Sequence, residues 1–351
     1  MRELEERLLE VTNAKYAVAV SSGTAALHGA CHSIGLKAGD EVITSPITFA
    51  ASANCVLYTG AKPVFADIDP DTYNIAPDEI QARITDKTKG VIAVDFAGQA
   101  AELSRIRDIC QGRGLFFIED AAHSIGTKYN GEPIGCHADM TTFSFHPVKT
   151  VTGGEGGAVT TNDEALYRRL LLFRTHGITR DRDLMIRDWE GAWYYEQIDL
   201  GYNYRLTDFQ SALIISQLSK LDIFGKRRRE IVQRYDEAFS GMEEIILQKN
   251  IPDSDTVNHL YVIQLVLEKL NGSRREIFDA LYGENICCNV HYIPVYTMPY
   301  YRTLGYINGL CPKAEALYRR ILTIPLFYGM TDQDVDSVIE GVRKVIGYYR
   351  K

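Results

Sequence analysis

The chain has 351 residues, 46% of them hydrophobic and 24% charged, with a formal net charge of -8 and a pI near 5.6, the balance of a soluble globular protein long enough for two domains. The acidic excess argues against a nucleic-acid surface while leaving room for a local basic pocket around an anionic small molecule. No run reaches the roughly 18 apolar residues of a membrane span, the opening M-R-E-L-E-E-R-L-L-E lacks the apolar core of a signal peptide, and seven scattered cysteines without a C-x-x-C pair fit buried, reduced thiols in a cytoplasmic protein that binds no metal.

In chain order, short runs apolar on both faces alternate with helix-length segments. Strands are expected over 16–21, 41–45, 63–68, 90–96, 115–119, 140–145 and 158–161, and helices over 24–34, 48–58, 77–84 and 103–113. Strands apolar on both faces imply an α/β domain with a mainly parallel sheet between two layers of helices. Ligands of such sheets sit at the carboxyl ends of the strands. After a helix over 163–173, residues 174–197 carry charges and aromatics without a clear period, as in a long surface excursion. Thr207 opens a helix, with Asp208 in its first turn, that is expected to reach Phe239 with one break at Gly225. The run Lys226, Arg227, Arg228, Arg229 reads as a solvated helix face. Segments at 261–267, 274–282, 286–292, 313–320 and 332–349 form a smaller α+β domain, giving a large domain over 1–225 and a small one over 226–351.

Four stretches fall where strand-like runs end. Ser21-Ser22-Gly23-Thr24-Ala25-Ala26-Leu27 turns a strand through Gly23 into a helix, so free amides and the Thr24 hydroxyl meet at one spot. That is a phosphate cradle, or simply a capped helix with Ser22 or Thr24 as the cap. In Ile118-Glu119-Asp120-Ala121-Ala122-His123-Ser124, Asp120 follows an apolar strand. A carboxylate in that crevice needs a cation or several donors. The protonated ring nitrogen of pyridoxal phosphate is such a cation, and a cap on the next helix is the alternative. Phe143 to Gly157, F-S-F-H-P-V-K-T-V-T-G-G-E-G-G, sets Ser144 and Lys149 between a strand and four glycines, which hold the lysine on a tight loop. The last, G-Y-N-Y-R-L-T-D at 201–208, is a polar, aromatic loop leading into a helix.

In that order the four motifs, with H-Y-I-P at His291 to Pro294, resemble the DegT/DnrJ family of pyridoxal-phosphate-dependent nucleotide-sugar aminotransferases over essentially the whole chain. Through F-H-P-V-K-T and F-R-T-H-G-I-T-R-D at Phe173 to Asp181, the chain is most similar to the members that form UDP-4-amino-4,6-dideoxy-N-acetyl-altrosamine for pseudaminic acid. The resemblance implies the fold type I aminotransferase architecture, an internal aldimine at Lys149, and Asp120 on the pyridine nitrogen with His123 supporting that carboxylate. It implies phosphate contacts from Ser22, Gly23, Thr24 and Ser144, Phe49 stacked on the ring, and Ala122 against the opposite face. Asn203 would reach in from the second subunit of a homodimer. Gln99, Ser144, Asn203, Arg205, His291 and Tyr292 are the implied substrate contacts. The implied reaction moves an amino group from glutamate through pyridoxamine phosphate to a 4-keto-6-deoxy UDP-N-acetylhexosamine. Two alternatives stand beside it. One is a sugar dehydratase, whose specialised members carry histidine where Lys149 stands; the other is a non-catalytic regulatory relative, against which the intact Lys149, Asp120 and Ser144 set argues. Members usually begin with a further segment ahead of the helix that starts here at Met1, and that segment helps to form the nucleotide-sugar pocket.

Overall fold

In the computed structural model, which describes residues 1–351, the apolar runs build one seven-stranded sheet. Its strands are β1 (Tyr16–Val20), β2 (Glu41–Thr44), β3 (Lys62–Phe65), β4 (Thr88–Val94), β5 (Phe116–Asp120), β6 (Met140–Ser144) and β7 (Gly157–Thr161), in spatial order β1-β7-β6-β5-β4-β2-β3. Strands β6, β5, β4, β2 and β3 pair in parallel, whereas β7 runs antiparallel to both β1 and β6.

Alternation along each strand serves two cores. Ala17, Ala19, Ile43, Val91, Ala93, Phe117 and Phe143 point to one face, under helices α1 (Arg2–Thr12), α4 (Pro77–Arg83) and α5 (Leu103–Arg113). Their neighbours Val18, Val20, Val42, Ile92, Ile118 and Val159 point to the other, under α2 (Gly23–Ser33), α3 (Ala51–Tyr58) and α6 (Glu164–Arg174). Successive strand side chains face opposite ways, so a strand covered on both sides reads as a nearly continuous apolar run, interrupted here by buried polar residues such as Glu119, Thr141 and Thr160.

The remainder of the chain comprises α7 (Asp208–Leu218), α8 (Leu221–Phe239), β8 (Ile245–Leu247), β9 (Tyr261–Leu265), α9 (Arg274–Gly283), α10 (Pro299–Thr303), α11 (Pro312–Tyr318), β10 (Ile321–Ile324) and α12 (Asp332–Tyr349). Strands β8, β9 and β10 form an antiparallel sheet whose core takes Ile231 and Tyr235 from α8, Ile277 and Leu281 from α9, and Val335, Val338, Ile339, Val342 and Ile346 from α12. The α12 stripe repeats every three to four residues, the helical period. A reciprocal capping box between Thr331 and Asp334 starts that helix.

Two expectations are corrected. The helix opened by Thr207 breaks at Ser219 and Lys220 instead of at Gly225, which is buried inside α8. Helix α8 therefore runs unbroken across 225/226, with Leu221 in the large-sheet core and Ile231 in the small-sheet core. Arg228 is not solvated. It falls on the inward stripe with Phe224, Ile231 and Tyr235, where its guanidinium donates to the carbonyls of Asn258, His259 and Leu326 at 3.1 to 3.2 Å. The excursion after α6 folds back on itself, Ile178–Thr179 pairing with Glu196–Gln197, and the Glu196 carboxylate gathers the amides of Ile186 and Arg187. Residues 286–292 form no strand; Asn289 alone bridges to Thr323 of β10, after which the chain turns toward the carboxyl edge of the large sheet.

Candidate active site

The carboxyl ends of strands β1, β5 and β6 border a cavity of about 860 Å³. Eleven of the residues expected in the site line it: Ser22, Gly23, Thr24, Phe49, Asp120, Ala122, His123, Ser144, Lys149, His291 and Tyr292. The first eight come from the large sheet's strand ends and adjoining turns, Lys149 from the loop after β6, and the last two from the segment beyond β10's bridge.

At the start of α2, Ser22 is the helix cap, its hydroxyl accepting from the Ala25 amide at 3.1 Å. Both readings of this stretch hold together, because a capped helix still leaves first-turn amides without intrahelical acceptors. Gly23 is required by proximity: a Cβ there would lie 2.8 Å from Ser144 Cβ and 3.0 Å from its Oγ. The close approach sets the Ser144 hydroxyl beside the amides of the helix start. Together with the dipole they form an anion cradle.

The Lys149 loop is closed by backbone bonds from Lys149 to His146, from Phe145 to Gly156 and from Gly153 to Phe145. Gly154 and Gly156 adopt φ of 80° and 154°. Gly157 is needed for a different reason, since a side chain there would run into the Ser22 carbonyl. The loop holds the lysine over the cavity, where burial lowers its amine to about 8 against the attraction of Asp120. A lysine in that range supplies a neutral amine near physiological pH.

Asp120 is buried, which raises its carboxyl, while Ser52, the Ala122 amide and the Lys149 charge favour the ionised form. Its Oδ2 accepts from Ser52 Oγ at 2.6 Å and its Oδ1 from the Ala122 amide at 3.3 Å. The support expected from His123 is not made. His123 Nε2 instead lies 3.2 Å from the Tyr292 hydroxyl, and its ring packs on His259 with centroids 4.5 Å apart. Burial is the main cause that lowers both histidines, with the Lys149 charge adding to it, so His123 sits as a neutral imidazole. His291 is lowered to about 4 by burial and Lys149, and Nδ1 of its ring lies 2.9 Å from Thr323 Oγ1.

Three expected residues lie elsewhere. Gln99 is buried away from the cavity; its amide accepts from the Ile251 backbone at 2.6 Å and donates to the Lys249 carbonyl at 3.2 Å, pinning two loops together. Asn203 and Arg205 are exposed and do not line the cavity of their own chain. Their loop is nonetheless attached to β1's end, the Ser21 amide donating to the Tyr204 carbonyl at 2.8 Å. Ser52 and Thr48 line the cavity and were missed. The only sequence signal for them was their proximity to Phe49, whose ring is 64% exposed at the cavity wall.

These residues meet the demands of pyridoxal phosphate. The cradle suits a phosphate, Asp120 suits a protonated ring nitrogen, and the neutral-poised Lys149 suits an aldehyde carbon. The exposed Phe49 ring offers a flat apolar surface beside them. A mainly parallel sheet that aims a loop lysine and a carboxylate at a helix-start cradle is the architecture of the fold type I pyridoxal-phosphate enzymes, and this chain is one of their aminotransferases.

It belongs to the DegT/DnrJ/EryC1/StrS aminotransferase family, whose profile matches residues 1–343. It is 42% identical to the spore coat polysaccharide biosynthesis protein SpsC of Bacillus subtilis over 348 residues, covering 99% of this chain and 89% of that one. PseC of Helicobacter pylori, an aminotransferase involved in pseudaminic acid biosynthesis, superposes with a TM-score of 0.92 at 30% identity, covering 99% of this chain and 91% of PseC. A putative sugar aminotransferase of Streptococcus pneumoniae in its pyridoxamine-phosphate form matches equally well, with a TM-score of 0.92, 30% identity and coverage of 99% and 92%. No helix is long and apolar enough to cross a membrane.

Proposed function

We propose that the chain aminates C4 of a 4-keto-6-deoxy UDP-N-acetylhexosamine with glutamate as donor. The observation that carries this reading is the convergence of Lys149, Asp120 and Ser144 on one cavity, in a chain similar to PseC along nearly its whole length. Bound pyridoxal phosphate supplies an electron sink that accepts the amino group in one half-reaction and gives it up in the next. Lys149 would hold the cofactor's aldehyde carbon and would move the proton at the substrate carbon, a task that its lowered amine suits. Asp120 would hold positive charge at the ring nitrogen, Ser144 and the amides of Gly23 and Thr24 would bind the phosphate, and Phe49 and Ala122 would cover the two ring faces. His291, Tyr292 and Ser144 border the space left for the sugar.

The working unit of this proposal is a cytoplasmic homodimer. Asn203 and Arg205 stand exposed on a loop flanked by exposed Leu200 and by Phe209 in the first turn of α7, the last 86% exposed. Apolar side chains left to solvent beside polar site residues suit a two-fold contact in which that loop completes the partner's cavity. A panel of UDP-, GDP- and dTDP-keto sugars incubated with glutamate tests the assignment. Mass spectrometry and NMR should find a 4-amino product from the UDP sugar with stoichiometric 2-oxoglutarate. Amination of another nucleotide's sugar, or loss of water from the sugar without amination, overturns it.

A further inference from the structure

The turn entering α3 presents two hydroxyls to the back of Asp120. Ser52 is 1% exposed and Thr48 2%, and their oxygens lie 2.7 Å apart. Ser52 Oγ is 2.6 Å from Asp120 Oδ2, the length of a charge-assisted bond to a carboxylate. Each hydroxyl has one proton to give. Ionised Asp120 can only accept, so Ser52 gives its proton to the carboxylate and must accept from Thr48. The chain of donors Thr48 to Ser52 to Asp120 therefore has one direction while the carboxylate is charged. The Phe49 carbonyl, 3.3 Å from Ser52 Oγ, is the competing acceptor for the serine proton. An ionised Asp120 wins that competition on both charge and distance.

We propose that Ser52 is a positioning residue for the aminotransferase reaction, oriented by Thr48, which keeps Asp120 ionised and turned toward the cofactor's ring nitrogen. The proposal rests on the assignment of Asp120 to that nitrogen made above. It also gives the turn entering α3 two tasks, since Phe49, three residues before Ser52, faces the same cavity. Lys149, Asp95, Glu119, Cys55 and Tyr292 act electrostatically with the same carboxylate. None of them changes when Ser52 is replaced.

The test uses holoenzyme reconstituted with pyridoxal phosphate isotopically labelled at its ring nitrogen, and reads by NMR the pH at which that nitrogen loses its proton. Without the serine donor the Asp120 carboxylate is the stronger base and takes up a proton ahead of the ring nitrogen. Ser52→Ala should then lower the pH of deprotonation by about one unit, a tenfold change in the protonation constant, and slow the glutamate half-reaction about tenfold with little change in KM. Ser52→Thr, which keeps the hydroxyl, should titrate as the wild type. Thr48→Val should shift in the same direction by less, and carries the test should Ser52→Ala not fold. A nitrogen titration unmoved in Ser52→Ala and Thr48→Val overturns the proposal. Asp120→Asn separates the two ideas. If it abolishes the protonated nitrogen while Ser52→Ala does not affect it, the role of Ser52 alone fails; if Asp120→Asn also titrates as wild type, the assignment of Asp120 fails.

Discussion

Replacing Gly23 by alanine probes the anion cradle with a single methyl group. The added Cβ would sit 2.8 Å from Ser144 Cβ and 3.4 Å from Ser144 Cα, so it falls about 0.6 Å short of ordinary contact with a carbon that a short side chain cannot swing away. The backbone at Gly23 has no positive φ, and alanine suits a helix interior better than glycine. The methyl's effect is therefore one of space. Either the start of α2 or the end of β6 must retreat, and both carry phosphate-facing groups. Losing one hydrogen bond to a charged group costs about 1.5 to 3 kcal/mol, so cofactor should bind roughly tenfold to a hundredfold more weakly. Absorbance or fluorescence titration of apoprotein with pyridoxal phosphate measures this directly. Adding Ser144→Gly removes the opposing Cβ, and the double variant should bind better than the sum of its parents predicts. A Gly23→Ala protein with wild-type affinity, or strict additivity in the cycle, would refute the close-approach reasoning.

Lys149→Arg should abolish turnover, since a guanidinium neither forms an imine nor moves a proton near neutral pH, and borohydride treatment of the wild type followed by peptide mapping should place the cofactor on Lys149 alone. Because only the neutral amine attacks, capture of pyridoxal phosphate by apoprotein should rise about tenfold per unit below pH 8 and level off above about 8, the value to which burial lowers Lys149; stopped-flow absorbance shows whether the plateau instead waits for the ordinary lysine range. Arg228→Met should cost about 3 kcal/mol in denaturant unfolding, because three carbonyls lose their donor, whereas exposed Arg229→Ala should stay within about 0.5 kcal/mol; equal effects would contradict the buried placement. Mixing Lys149→Ala with Asn203→Asp chains should restore activity through hybrid dimers that hold one intact site, and inactivity despite subunit exchange shown by mass spectrometry would confine Asn203 to its own subunit.

What the sequence determined by itself is governed by local rules. The large-sheet strands were legible because a strand covered on both faces is mostly apolar along its length, as Ala17 to Val20 and Val91 to Val94 are. Helix α12 was legible from its three-to-four residue stripe. Lys149, Asp120 and Ser144 could be singled out because a parallel sheet delivers its strand ends to one edge, so chemistry placed just after a strand arrives at a common site whatever the packing details. The tertiary structure alone decided contacts made between distant segments. Ser52 meets Asp120 across 68 positions, and nothing in either stretch encodes that meeting. His123 turns to Tyr292 instead of Asp120, because the segment after Asn289 brings that hydroxyl within 3.2 Å of its ring. Gln99 faces inward because the 249–251 segment brings it a backbone amide and a carbonyl to pair, a demand invisible along the chain. Arg228 follows the same logic: its charge suggests solvent, but its place on the inward stripe of α8 and three waiting carbonyls hold it inside. Polar groups in a folded interior go where their partners are, and where the partners are is settled only when the elements have packed.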